Sequence, residues 1–436
     1  MTNFEMIKPQ PMSTSRQILM NLSWFSLNMM WASILLYIMP SYIQSVVGED
    51  AKGGLLGLVL GTGAFVSALS APVFGAFSDR MRVPGGRRKP WIVIGTFGIV
   101  AGLLALSYWT RPGDRGSLPG WIIVFMFLEL VSAITGPYSA LIADQVSIKQ
   151  RGSFSGWLGL MSMLGYLVGG FTGLLVVPLG VSAVYNILIV VVLLGLLATI
   201  FGVEDSGISP ETPRFSIREF LSGLYTPFKY PDFSWVFFNR LLVALGISTL
   251  QEFVLYYMAD GFGSTYVLAG FGKVADTADG AVAFFLPVVF LGAIATTLVA
   301  GVLSDRFGRK PIAYAACLGM AVACIVLIFS HSFTLSLLVG IVYGMGQGAY
   351  ESVSRALVTD VLPSANDHAK DINIWHIAIV LSQIIAAPIA GFLLDHFQAT
   401  GMARNIPHMG YTVIFVVAVM YFILGSMCLK QIKTIR

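Results

Sequence analysis

The sequence predicts an all-α membrane protein: twelve transmembrane helices arranged as two pseudo-symmetric six-helix bundles. Three observations carry that prediction. The 436 residues are 56% hydrophobic and 11% charged, with a mean hydropathy of +0.80, whereas soluble globular chains carry about 25% charged residues. Apolar runs of about 18 residues or more, long enough to cross a hydrocarbon core, recur along the whole chain. A charged block, GAFSDRMRVPGGRRKP at 75–90, returns in shorter form as GVLSDRFGRKP at 301–311. In both copies an apolar run ends in Ser-Asp-Arg, turns on Gly, adds more cations and restarts after Pro, so two structural halves are implied.

In order, the runs place helices near 17–47, 53–78, 91–110, 120–143, 153–176, 181–203, 233–259, 281–304, 311–330, 333–359, 372–394 and 411–429. With the N-terminus inside, the cytoplasmic segments hold 19 Lys and Arg, and the opposite side holds five, Lys52, Arg111, Arg115, Lys273 and Arg404. Cations collect on the cytoplasmic face, so both termini are expected there, in the cell (inner) membrane. The first run is far longer than the roughly 7–15 apolar residues of a cleaved signal and is expected to stay as a helix. The segment 204–232 mixes Pro, Gly and charge. It is expected to be a cytoplasmic linker between an N-terminal bundle, 1–203, and a C-terminal bundle, 233–436. Glycine-rich strings, GLLGLVLGTG at 54–63 and GYLVGG at 165–170, suit close approach of helix backbones.

Several function classes fall away on composition and motif. The net charge of +4 sits in short loops rather than on one soluble face, which speaks for topology and against a nucleic-acid partner. Cys317, Cys324 and Cys428 form no CxxC pair and are read as small packing residues, with no metal and no cofactor expected. No G-x-x-x-x-G-K-[ST] string or nucleophile elbow occurs, so neither an ATP-driven pump nor an enzyme is expected. GFGK at 270–273 is followed by Val, falls in a predicted external loop, and carries no phosphate-binding expectation.

Ionisable groups inside the helices cost about 2.5–3.5 kcal/mol each at a helix centre, so each needs a partner or a task. Glu129 lies about nine residues into the fourth helix with no basic residue within a turn. It is the candidate for proton coupling, against the alternative of a permanently protonated group bonded to a neighbouring helix. Glu351 and Arg355, four apart on the tenth helix, can pair along one face and form a gate. Arg240 and Glu252 on the seventh are twelve apart, about 18 Å along a helix, and each needs a partner from elsewhere. Glu252, beside Gln251 and a turn before Tyr256, is placed toward the external mouth. His376 beside Trp375 is read as an interfacial residue near the cytoplasmic face. The first helix sets Asn21, Trp24, Asn28 and Trp31 at helical spacing. Rings and amides along one side suit a neutral sugar, with Gln251, Glu252, Tyr256 and Gln347 as further substrate candidates. The alternative is an aromatic belt with interhelical hydrogen bonds.

The two charged blocks resemble the signature loops of the major facilitator superfamily, between helices 2 and 3 and between helices 8 and 9. That resemblance covers the whole chain and implies alternating access around a site between the halves. It implies that Asp79 faces the start of helix 11 and Asp305 the start of helix 5. These two aspartates, with Arg80, Arg87, Arg88, Arg306 and Arg309, would latch the outward-facing state. Asp144 and Arg151 form a similar element after helix 4, and Asp360 its counterpart after helix 10. The first loop, D-R-M-R-V-P-G-G-R-R-K-P-W-I, looks like that of the sucrose–proton symporters and of the glycoside, pentoside and hexuronide symporters. Proton-coupled symport of a neutral sugar or glycoside by a monomer in the lipid bilayer is the resulting expectation. Helix 2 holds no acid in residues 53–78, which disfavours sodium. The alternative is a proton-coupled antiporter exporting amphipathic or drug-like solutes. Members of that group typically carry G-P-x-x-G-G on helix 5, where this chain has G-Y-L-V-G-G with Tyr166.

Overall fold

A computed structural model describes residues 12–80, 89–110, 114–134, 146, 150–203, 225–262, 266–329, 332–361 and 368–433. Twelve apolar helices appear among them. The first, α1, runs Thr14–Ser33, passes through a π-helical stretch, Ile34–Ile38, and continues as Met39–Val47. The remaining N-terminal spans are α2 (Lys52–Arg80), α3 (Lys89–Trp109), α4 (Leu118–Ile134), α5 (Arg151–Gly170, then Gly173–Leu179) and α6 (Val181–Gly202). The second half repeats the pattern with α7 (Pro231–Gln251, then Val254–Phe262), α8 (Ala278–Phe307), α9 (Arg309–Phe329), α10 (Phe333–Asp360), α11 (His368–Ala403) and α12 (Met409–Gln431). Helices meet every backbone hydrogen bond internally, which hydrocarbon requires. Their outward side chains, such as Phe201, Leu318, Phe329 and Met427, are exposed and apolar.

The packing is pseudo-symmetric. In the first half α1 packs on α5 and α6, α4 on α2 and α3, and α3 on α6; in the second, α7 packs on α11 and α12, α10 on α8 and α9, and α9 on α12. The halves meet through α2 against α11 and α5 against α8. Both seams depend on small residues: between α2 and α11 a Cβ at Gly57 would collide with the Ala387 carbonyl and one at Gly391 with the backbone of Gly53, and between α5 and α8 one at Gly173 would crowd the Asp279 carbonyl. A single apolar cluster spans both halves at the end opposite the termini, joining Tyr37, Ile43 and Leu56 to Tyr256, Phe285 and Leu394. Toward the termini each half has a separate cluster, around Met20, Ile92 and Phe154 in one and Phe237, Val353 and Trp375 in the other. Among the described residues the bundles are therefore joined at one end and parted at the other.

Three helices are irregular near the middle. In α1 the widened turn immediately precedes Pro40, which has no N–H for the carbonyl four residues back. In α5 the break falls at Phe171 and Thr172, and in α7 at Glu252 and Phe253. A short antiparallel hairpin, β1 (Tyr266–Leu268) and β2 (Gly272–Ala275), follows α7. Its turn uses Gly270 at φ 85° and Gly272 at φ 82°, so GFGK is a hairpin turn where the sequence suggests only a loop. The linker residues 204–224 lie outside the described residues.

Candidate functional site

The joined end is closed by polar contacts between the halves, most of them from donors of the first half to carboxylates of the second. Lys52, the first residue of α2, places Nζ 2.8 Å from both oxygens of Asp260 on α7. Tyr411 also donates to Asp260, and the Lys52 ammonium lies 4.9 Å from the centre of the Tyr256 ring. Tyr256 donates to the Pro40 carbonyl at 3.0 Å, and Ser41 donates to Asp279 at 3.0 Å. The Gly53 and Gly54 amides donate to Asp395 at 2.9 and 2.6 Å. The first N–H groups of a helix have no partner within it, and a carboxylate there satisfies them and the positive end of the helix dipole.

Between the parted ends lie three adjoining cavity compartments that share lining residues. The first, about 330 Å³, is walled mainly by the first half and contains Trp24, Asn28, Trp31 and Glu129. The second, about 180 Å³, contains Ser67, Glu129, Glu252 and Gln383 among aliphatic and alanine side chains. The third, about 270 Å³, belongs mainly to the second half and contains Arg240, Gln251, Gln347 and Glu351. Leu35 and Gln383 face all three, while Trp31 and Tyr166 face the first and third.

Glu129 and Glu252 therefore line one compartment from opposite halves. Ser67 on α2 hydrogen-bonds the Glu129 carboxyl. Space for that carboxyl comes from Gly63, where a Cβ would meet the Phe125 ring and the Glu129 side chain. Glu252 reaches the compartment because α7 breaks at its own position. Among the described residues no Lys, Arg or His lines this compartment.

Arg240 finds the partner its position demands on a different helix. Its guanidinium grips Glu351 with two hydrogen bonds of 2.8 and 3.0 Å, and it lies 5.0 Å from the Trp375 ring centre and 5.6 Å from that of Tyr350. Tyr350 donates to Asn239 at 2.8 Å, and Asn239 donates to the Gly425 carbonyl at 2.8 Å. The expected Glu351–Arg355 pair is corrected: a bidentate cation across the helix interface holds Glu351, and Arg355 is exposed. His376 is exposed and packs edge-on against Trp375.

The other candidates distribute as follows. Trp24, Asn28 and Trp31 line the cavity, with the Asn28 amide donating to the Trp24 carbonyl at 2.7 Å. Asn21 is buried and donates to the Gln17 carbonyl at 2.9 Å, away from the cavity lining. Gln251, Glu252 and Gln347 line it from the second half, whereas Tyr256 belongs to the closed end. In the second charged block Asp305 pairs with Arg309. Arg309 also donates to Ser304 at 2.7 Å and to Asp360 at 3.3 Å, so among the described residues the ion pair of Asp305 lies within its own half. Arg306 is exposed. Arg87, Arg88 and Asp144 lie outside the described residues, as do the side chains of Asp79, Arg80 and Arg151. Ser67, Gln383 and Lys52 were not anticipated. Gln383 carries a readable signal, an amide inside the apolar run IAIVLSQIIAAPIAG.

Two six-helix bundles around a central cavity, closed at one end and carrying paired acids, define a secondary transporter of the major facilitator fold. The chain belongs to the family described as MFS/sugar transport protein, whose model matches residues 23–366. It is 27% identical over 327 residues to the tetracycline resistance protein, class B, of Escherichia coli, a match covering 64% of this chain and 77% of that protein. The multi-drug resistance efflux pump PmrA of Streptococcus pneumoniae is 25% identical over 363 residues, 79% of this chain and 82% of the pump. The sucrose transport protein SUC4 of Arabidopsis thaliana is 25% identical over 187 residues, 38% of this chain and 36% of that protein. The crystal structure of the nucleoside transporter NupG superposes with a TM-score of 0.68 at 14% identity, covering 96% of this chain and 99% of the other.

Proposed function

We propose that the protein is a proton-coupled antiporter that exports amphipathic, cation-bearing solutes across the cell membrane. The observation that carries this reading is the compartment lined by Glu129 and Glu252 from opposite halves, with no Lys, Arg or His among its described lining residues. A cationic solute and protons would compete for the same carboxylates. Each would be admitted only where the other has left, which is the minimal requirement for exchange. The long matches to a tetracycline resistance protein and a multi-drug efflux pump support export, whereas the sucrose-protein match spans 36% of that relative.

The 19 cations on the terminal side against five on the other support cytoplasmic termini. The parted end then faces inward, and the Lys52–Asp260 closure seals the outside. In this state the cavity loads solute from the cytoplasm or releases protons into it. Opening of the closed end and approach of the parted one would complete the cycle. The charged blocks at Asp79 and Asp305 would hold the outward-open state.

A second reading, proton-coupled symport of a neutral sugar, is favoured by Trp24, Trp31 and Asn28 lining the first compartment and by the description of the family. The two readings differ in the sign of a pH change. De-energised, weakly buffered vesicles with the native orientation receive ethidium or a panel of glycosides on the outside. Inward movement of ethidium against outgoing protons acidifies the medium, supporting antiport. Alkalinisation by a glycoside, with none of that acidification, overturns it.

A further inference from the structure

A separate apolar hollow of about 60 Å³ lies inside the C-terminal bundle, between α7, α8, α9, α10 and α12. Leu250, Val254, Phe285, Leu327 and Phe415 supply much of its wall. Gln251, Gln347 and Phe290 border both this hollow and the third compartment of the central cavity. The break in α7 falls at this shared wall: Gln251 ends the first segment and Val254 begins the second. On the α10 side Gly340 keeps the hollow from filling, because a Cβ there would crowd Phe285 and Val289.

We infer that the hollow is an apolar annex of the transport site. It receives a single ring or a branched alkyl group of a solute whose polar head occupies the central cavity. The inference rests on the proposed transport of amphipathic solutes and narrows it to solutes with a polar head on one compact apolar substituent. Water gains little in an apolar hollow, so an apolar substituent enters without displacing a well-bonded solvent. The two amides at the shared wall suit the junction, where an ester, ether or amide oxygen of the solute would need a donor. A bare hexose has no group for the annex, since a hydroxyl placed there would lose its water without gaining a partner.

Two matched pairs of probes test this on the full-length purified protein by equilibrium binding: benzyltrimethylammonium against tetramethylammonium, and phenyl β-glucoside against methyl β-glucoside. The annex predicts that the ring-bearing member of at least one pair binds about tenfold or more tightly. Val254→Phe, which fills the hollow, should bring that ratio near one and leave the affinity for the methyl member unchanged. Phe415→Ala, which enlarges it, should shift preference from a benzyl to a naphthylmethyl substituent. Absence of a ring preference in both pairs overturns the annex, as does a preference unaltered by both substitutions. A ring preference confined to the glucosides keeps the annex and overturns cation antiport.

Discussion

Lys52 on α2 and Asp260 on the second segment of α7 form a buried ion pair that joins the two halves, with the lysine side chain only 4% exposed. Removing one member of such a pair strands the other charge, at a cost of about 3–5 kcal/mol in fully buried cases. That cost falls on the closed state alone if the halves separate there. Lys52→Ala and Asp260→Ala should therefore open this end in a large share of molecules. Cysteines placed on opposite halves near Pro40 and Tyr256 would report it as slower crosslinking. The exchanged pair, Lys52→Asp with Asp260→Lys, should recover part of the closure, and unchanged crosslinking in both single variants would count against the lock.

The turn leading into α2 should weaken in acid. Burial pushes the Glu49 carboxyl up, but hydrogen bonds from Lys52 and Gln44, both of its own half, outweigh it and hold the group below the usual carboxylate range. A lowered carboxyl contributes to the folded state above its ordinary value, and that contribution is lost as the pH falls through the lowered one. The Tm of the purified protein should drop below about pH 4. Glu49→Gln should remove that part of the pH dependence.

Glu129→Gln should abolish accumulation or export against a gradient while leaving solute exchange, because the carboxamide cannot take up the coupled proton. Glu252→Gln should weaken binding of a cationic solute by about tenfold or more, the range of one charge-assisted contact. Paired transport and exchange assays in proteoliposomes separate the two effects. Loss of neither would remove both residues from the mechanism.

Gly63→Ala should impair transport without unfolding the protein. Its Cβ would press on Phe125 and on Glu129, at the wall of the central compartment. Transport should fall several-fold with a Tm within a few degrees of the parent, as for modest overpacking of about 1–3 kcal/mol. A larger side chain at Gly57 should act differently, by preventing α2 from seating against the Ala387 carbonyl.

Arg240→Ala should destabilise the detergent-solubilised protein by about 3 kcal/mol or more, because Glu351 is left in the wall without its cation. The double substitution Arg240→Met with Glu351→Leu removes both charges and should restore much of the Tm. Equal losses from the single and double variants would mean that packing, and not charge, sets the cost.

The fold was readable because hydrocarbon permits few solutions: long apolar runs must be helices, and the repeated Ser-Asp-Arg block divides them into halves. Glu129 was readable for a related reason, as an acid alone in an apolar run. Partners on other helices were not readable. Glu351 has a cation four residues away in sequence, yet the structure gives it to Arg240, because bidentate geometry across an interface outweighs a local pair. The break in α7 left no mark, since STLQEFV holds neither Gly nor Pro; only the packing of Tyr256 and Asp260 on the other half shows why the helix turns aside there. Lys52 counted as one loop cation among five until burial against Asp260 revealed its part in closing the bundle.

The proposed competition of solute and proton for Glu129 and Glu252 is tested most directly by protons released on binding. Ethidium is added to the purified protein in a weakly buffered detergent solution, and the pH change is read against the amount bound. Shared carboxylates predict a release that scales with bound ethidium and is lost when Glu129→Gln and Glu252→Gln are combined. Ethidium binding without release, or a release undiminished in the double variant, would contradict the account.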